Sequence, residues 1–384
     1  MTRKLSKLLL APNAFKGSLN SVEVADAMRE GILRVDKDID CLLCPMADGG
    51  EGTVEILVNA TGGKYISAEV HSPIKKTIPA QYGILGDGET VVIEMSAASG
   101  IKLLTETEKN PLQTTTSGTG ELVKDALERG YRKLIVGLGD SATVDAGLGA
   151  LHALGCRYYD KEGKELSPQP SALTNLARID DTQLDRRLLE SEIIIACDVT
   201  NPLGGRNGAA RTFAAQKGAS AKDIETLEAF LIKFAEVVSP GLDYDISSAR
   251  YGGAAGGLAA GLMAICGGKP VGGAEIMIDY YQLNEKITSC DFVFTGEGEI
   301  NHQTKEGKAP YQIAQLAKKH NIPTIAIVGK IGESAYENYH HGITAIFSIA
   351  DGNPDLKYLM NNAVKLITET TESVLSTMLC GGNL

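Results

Sequence analysis

The residues of this sequence best suited to chemistry are Lys16, Asp48, Asp140, Asp198, Glu297 and Lys330. Each follows an apolar run of strand length and sits among Gly, Ser, Thr or Asn. Carboxylates of this kind can take a proton or a hard cation, and lysines can neutralise a substrate carboxylate or a transferring phosphoryl group. The densest stretch is 133–156, KLIVGLGDSATVDAGLGALHALGC, where Asp140, Ser141, Thr143 and Asp145 lie among Gly137, Gly139, Gly147 and Gly149. A glycine turn opening a helix lets backbone N–H groups approach an anion, and the helix end adds partial positive charge. Asp140 and Asp145 suit Mg²⁺, which takes oxygen ligands. The plainer alternative is that Ser141 or Thr143 caps the helix and the aspartates are solvated.

The same theme recurs. Residues 114–120, TTTSGTG, place Thr115, Ser117 and Thr119 at a second helix start. The loop 13–18 sets Ser18 beside Lys16, residues 47–53 read ADGGEGT, and Gly296-Glu297-Gly298 ends another apolar run. Asp198 follows the apolar run 193–196 and precedes Asn201 and the Pro202 turn, which would hold it rigidly and partly out of water. It is the first choice for a general base, with capping of its own turn as the competing role. For the lysines, ordinary solvation competes with charge neutralisation. No Walker A sequence, GxGxxG after a first strand, kinase HRD or DFG, or GxSxG elbow is present, and the six histidines are scattered. What remains is phosphoryl transfer built on a different set of loops.

Strands must end where these residues begin. Apolar runs at 5–10, 41–46, 134–138, 193–196, 292–295, 324–328 and 343–349 predict them, and helical periodicity follows most. Asn20 with Glu23 forms a capping-box pattern ahead of a helix burying Ala25, Met28, Ile32 and Val35. Residues 65–95 instead alternate as antiparallel strands, with a hairpin at Gly86-Asp87-Gly88. The predicted class is α/β with two α/β domains. A discontinuous parallel-sheet, Rossmann-like domain takes residues 1–65 and 287–384, and a mixed α/β domain of residues 66–286 is inserted. Active loops then line the strand C-terminal ends, in a cleft between the domains.

The 384 residues exceed what one core usually serves. The net charge of −11 argues against a non-specific nucleic-acid binder. No run approaches a membrane span or a signal h-region, so a cytoplasmic location is expected, with a homodimer left open. Cys41 and Cys44 have CxxC spacing without a second pair, which favours buried reduced thiols over zinc. The small-residue run 252–268 argues for close helix packing.

Taken in order, APNAFKGSL, PMADGGEGT, TTTSGTGEL, GLGDSATVDAGLG, CDVTNPLGG, GAEIMID and TGEGEINHQTKEGKAP resemble the type 1 glycerate kinase family. The resemblance implies ATP-dependent phosphorylation of D-glycerate with Mg²⁺, usually to 2-phosphoglycerate. Two departures stand out. Asn13-Ala14 replaces a common Asp-Ser before Phe15-Lys16, and Glu299 and Asn301 stand where Arg and Asp are common. A kinase of another small hydroxy acid, or a binding or regulatory homologue of weak activity, are the other readings of the same cleft.

Overall fold

The structure is a computed structural model that describes residues 5–350, 352 and 355–381, the side chains of residues 303 and 306 excepted. Its fourteen described strands are β1 (Lys7–Pro12), β2 (Asp40–Leu43), β3 (Lys64–His71), β4 (Thr77–Ile84), β5 (Thr90–Glu94), β6 (Lys133–Gly137), β7 (Arg157–Tyr159), β8 (Glu165–Leu166), β9 (Arg178–Asp180), β10 (Glu192–Ala196), β11 (Lys269–Val271), β12 (Phe292–Ile300), β13 (Thr324–Ile331) and β14 (Ile343–Ser348). They divide between two compact units, one of residues up to Asp48 with those from Gly273 on, the other Gly49–Gly272.

The first unit holds a five-stranded sheet in the order β14-β13-β12-β1-β2, with every neighbour parallel. Its strands read as continuous apolar runs because both faces are covered, and Leu8, Leu9 and Leu10 of β1 are all fully buried. Helix Ser21–Val35 covers one face with Val24, Met28 and Ile32. Its capping box forms as the sequence predicts, with the Glu23 N–H donating to the Asn20 side chain and the Asn20 N–H donating to the Glu23 carboxylate. Gly31 lets helix Ala363–Gly381 lie against it: a Cβ there would meet the Thr368 carbonyl at 2.4 Å.

The second unit holds a six-stranded sheet in the order β11-β10-β6-β5-β4-β3. The first four strands are parallel; β4 pairs antiparallel with both β5 and β3, and the predicted hairpin at residues 86–88 joins β4 to β5. A small antiparallel sheet, β8-β7-β9, lies apart from it in the sheet order. The hydrophobic runs put the domain boundaries at 65/66 and 286/287, whereas the compact units meet at 48/49 and 272/273. Packing accounts for the difference at each end. Helix Thr53–Thr61 lies on the second sheet, its Val58 filling the space a Cβ at Gly83 would take, and helix Gly273–Tyr280 packs on Ala309–Lys319 of the first unit.

Candidate active site

In the first unit, the carboxyl ends of β1, β12 and β13 carry the polar residues. Proline ends β1 and Asn13 turns the chain: its N–H donates to the Gly296 carbonyl (2.8 Å), and its side chain accepts from the Ala14 N–H. The loop that follows presents Lys16, whose ammonium lies 3.4 Å from the Asp48 carboxylate while its side chain stays 77% exposed. Ser18 turns elsewhere, donating its hydroxyl to the Met360 carbonyl (2.9 Å), so it belongs to the packing of helix Leu356–Asn361.

The sequence makes Gly296-Glu297-Gly298 a loop, but β12 continues through it to Ile300, still in register with β13. Period-two alternation then puts Glu297 and Glu299 on one face and the glycines on the other. Glu297 is buried, accepts from the Thr304 hydroxyl (2.7 Å), and has the Lys308 ammonium at 3.4 Å. Burial pushes its carboxyl up, with Lys308 and Thr304 pulling the other way. Glu299 draws the Lys330 ammonium to 3.5 Å. Lys330 stays 70% exposed beside that carboxylate on the neighbouring strand.

In the second unit, the ends of β5, β6 and β10 converge with three loops. The turn after Asp48 lies across β6 and β10: the Gly139 N–H donates to the Gly49 carbonyl, and a Cβ at Gly49 would meet the Ala196 carbonyl at 2.4 Å. Asp140, exposed and at a left-handed φ of 56°, accepts from the Glu51 N–H (3.2 Å). The GGEGT segment of residues 49–53 and the motif GLGDSATVDAGLG are thus brought side by side. Asp198 is half-buried at the end of β10, where the next residue but one, Thr200, accepts from the Tyr251 N–H, and the Asn201 amide donates to the Asn207 carbonyl (2.8 Å).

Other predicted residues turn inward. Asp145 is fully buried, and its carboxylate accepts from the Thr116 N–H and hydroxyl (both 2.8 Å), the Gly147 N–H (3.1 Å) and the Gly149 N–H (3.2 Å). Burial raises its pKa, against the pull of those donors. With both oxygens engaged, Asp145 braces two loops and does not suit a metal ligand. Thr115 accepts from the Ser117 N–H, and Thr119 shares a buried hydrogen bond with Ser99, so both hydroxyls serve packing. Ser141 accepts from a buried lysine, Lys217, which also donates to the Thr143 carbonyl (both 2.7 Å). The Thr143 hydroxyl is buried with no partner among the described residues. The run 252–268 packs closely, as its glycines predict: a Cβ at Gly256 would strike the Thr143 carbonyl (2.1 Å) and one at Gly261 the Ala146 carbonyl (2.3 Å).

Sequence reasoning passed over Glu94, Thr116, Lys217, Thr304 and Lys308. Lys308 had a signal in the GKAP run before a helix start; Glu94 and Lys217 had none, because only tertiary packing buries them. Glu94 ends β5, accepts from the Val54 N–H (2.8 Å), and is pushed up to about 7 by burial. Among the described residues, no three His, Cys, Asp or Glu side chains stand together as a metal cage. Mg²⁺ commonly takes one or two carboxylates beside phosphates and water, and Asp140 is the exposed carboxylate that fits that pattern. Cys41 and Cys44 are free thiols raised by burial, to about 11 and about 12. No described helix is long and apolar enough to cross a membrane.

Comparison with known proteins covers nearly the whole chain. A sequence model described as Glycerate kinase family matches residues 8–379. A protein of Escherichia coli (strain K12) named Glycerate 2-kinase is 41% identical over 375 residues, 98% of either chain. One of Bacillus subtilis (strain 168) named Glycerate kinase is 40% identical over 372 residues, 97% of either. A crystal structure from Salmonella typhimurium LT2, named after glycerate kinase 2, superposes with a TM-score of 0.85 at 40% identity, covering 99% of this chain and 100% of the other.

Proposed function

The chain belongs to the glycerate kinase family, and from that premise we propose that it moves the γ-phosphoryl group of ATP to the 2-hydroxyl of D-glycerate, releasing ADP and 2-phosphoglycerate. The observation that carries the choice of product is near full-length similarity to a relative named Glycerate 2-kinase. ATP is the donor a kinase of this family implies.

The chemistry asks for a proton acceptor, anion donors and positive charge. In this reading Asp198, half-buried behind β10, takes the proton of the C2 hydroxyl as that oxygen attacks the γ-phosphorus. The bond to the bridging β–γ oxygen breaks and ADP leaves. Lys16 offers its exposed ammonium to the substrate carboxylate or transferring group, and Asp48, 3.4 Å away, orients it. Ser141, Asn201 and the glycine turn of residues 137–141 supply polar groups for anionic oxygens, with Ser117 at the start of a twelve-residue helix adding partial positive charge. Mg²⁺, when bound with ATP, would neutralise phosphate charge, and Asp140 is the residue that would hold it. The buried Thr115, Thr119 and Asp145 shape these loops from behind.

Incubating the protein with ATP, Mg²⁺ and D-glycerate and reading the product by ³¹P and ¹H NMR tests this. The phosphorus coupled to the C2 proton identifies 2-phosphoglycerate. A product esterified at C3, or turnover confined to L-glycerate or another hydroxy acid, would overturn it.

A further inference from the structure

Among the described residues, Lys217 is the one buried cation that the proposed reaction does not use. It ends a short helical turn, Ala215–Lys217, and is 3% exposed. The next residue, Gly218, has φ +96°, and a Cβ there would meet the Lys109 carbonyl at 2.5 Å, so this stretch of backbone is pinned. From there the ammonium reaches 76 residues back along the chain, to Ser141 Oγ, and 74 back, to the Thr143 carbonyl, both at 2.7 Å. A buried lysine must be hydrogen-bonded, and these two acceptors belong to one loop.

An ammonium can only donate. Its bond to Ser141 therefore occupies a lone pair of that hydroxyl, and the Ser141 proton must point away from Lys217. Among the described residues that O–H finds no acceptor. The Ser141 hydroxyl thus keeps its proton for a partner other than Lys217, one residue after Asp140. We propose that Lys217 is a positioning residue for anion binding: it keeps the Ser141 hydroxyl turned outward as a donor to an anionic oxygen of the bound substrates, either the glycerate carboxylate or an ATP phosphate. The inference rests on the kinase reading only for the identity of those anions.

A deprotonated amine reverses the arrangement. Its lone pair accepts from Ser141, whose proton swings inward, while the Thr143 carbonyl keeps a donor in both states. The loop backbone persists and the anion donor is lost. Burial lowers Lys217 to about 7, against the opposing pull of Asp145, the charged group that faces it. Lys109 packs behind with its main-chain carbonyl and pairs its ammonium with Glu106. An anion at Ser141 favours the ammonium, so binding takes up a proton and affinity falls as pH rises through about 7, by at most about tenfold per pH unit.

The test measures KM for D-glycerate and for ATP between pH 6 and 9 in wild type, Lys217→Met and Ser141→Ala, with calorimetric titrations in buffers of different ionisation enthalpy to count protons. In wild type one KM rises with pH above neutrality while kcat changes less, and the corresponding binding takes up a proton at pH 8. Which substrate shows it identifies the anion. Both variants bind that substrate more weakly at pH 6 and lose the slope and the proton uptake. Ser141→Ala leaves the ammonium in place, so it decides the question if Lys217→Met does not fold. A slope that survives in the folded variants, or no proton uptake with either ligand, overturns the inference. ATP binding can be titrated without turnover, so absence of glycerate phosphorylation counts against the kinase reading alone.

Discussion

Asp198 carries the heaviest assignment at the scale of single residues. If it takes the hydroxyl proton, Asp198→Asn lowers kcat by about 10²–10⁴-fold, the usual worth of a general base, while glycerate still binds. Calorimetric binding beside steady-state rates checks this, and near-normal kcat in the variant would refute the role. Lys16 and Asp48 form a pair too exposed to stabilise the fold much. Asp48→Ala should therefore leave the melting temperature nearly unchanged and raise the glycerate or Mg²⁺ concentration needed for half-maximal rate. An unchanged titration would count against a functional pair. Glu94 allows a prediction about pH. Its folded pKa of about 7 lies above its ordinary value, so the folded state holds the extra proton, and this group's contribution declines as pH rises from the ordinary glutamate value through about 7. Glu94→Gln keeps an acceptor for the Val54 N–H and cannot ionise. Relative to wild type it should gain about 1–2 kcal/mol between pH 5 and 8 in denaturant melts. A constant difference across that range would sink the idea.

At the scale of elements, β12 separates two glycines that the sequence treats alike. A Cβ at Gly296 would meet the Ile327 carbonyl of β13 at 2.1 Å, whereas one at Gly298 finds nothing nearer than the Lys16 nitrogen at 3.6 Å. Gly296→Ala should destabilise by several kcal/mol or prevent folding, because backbone in a paired strand cannot move aside. Gly298→Ala should melt within about 0.5 kcal/mol of wild type. Equal melting temperatures for the two variants would contradict the strand register. The brace between residues 114–119 and 143–149 is built with similar economy. A Cβ at Gly149 would lie 2.0 Å from the Thr115 hydroxyl oxygen, and three backbone N–H groups share the Asp145 carboxylate. Without that acceptor each buried donor costs about 1–3 kcal/mol, so Asp145→Ala acts through folding before it acts through catalysis.

For the whole molecule, the division of the chain has a consequence of its own. Gly49–Gly272 is continuous and contains its sheet together with two clusters of buried apolar residues, one around Tyr82, Val136 and Ile195, the other around Tyr158, Phe230 and Phe234. A unit that closes its own core folds by itself. A fragment of residues 49–272 should show a single cooperative thermal transition by circular dichroism, and a fragment without one would mean that its core needs the rest of the chain. The first unit is assembled from both ends of the sequence, with β1 pairing to β12 across more than two hundred and eighty residues. It cannot form until the inserted segment has been made, which is the loop-closure cost of a discontinuous sheet.

Much of this could be read directly from residue order. Apolar runs of strand length, the Asn20 capping box, the hairpin at residues 86–88 and the return of the βα rhythm near residue 291 are local signals, and each depends on short-range sterics or periodicity. Glycine-rich motifs likewise marked the loops that follow β1, β6 and β10, though not residues 296–298, which stay inside β12. Whether a given oxygen faces a ligand or the interior was not local. Asp140 and Asp145 are five residues apart in one motif, yet the first stands exposed and the second accepts three main-chain N–H groups in the core. Lys217 reads as an ordinary surface lysine until residues 141 and 143 close around it. Burial belongs to the packing of distant segments, and it is burial that sets how many hydrogen bonds a polar group must make and which of its protonation states survives.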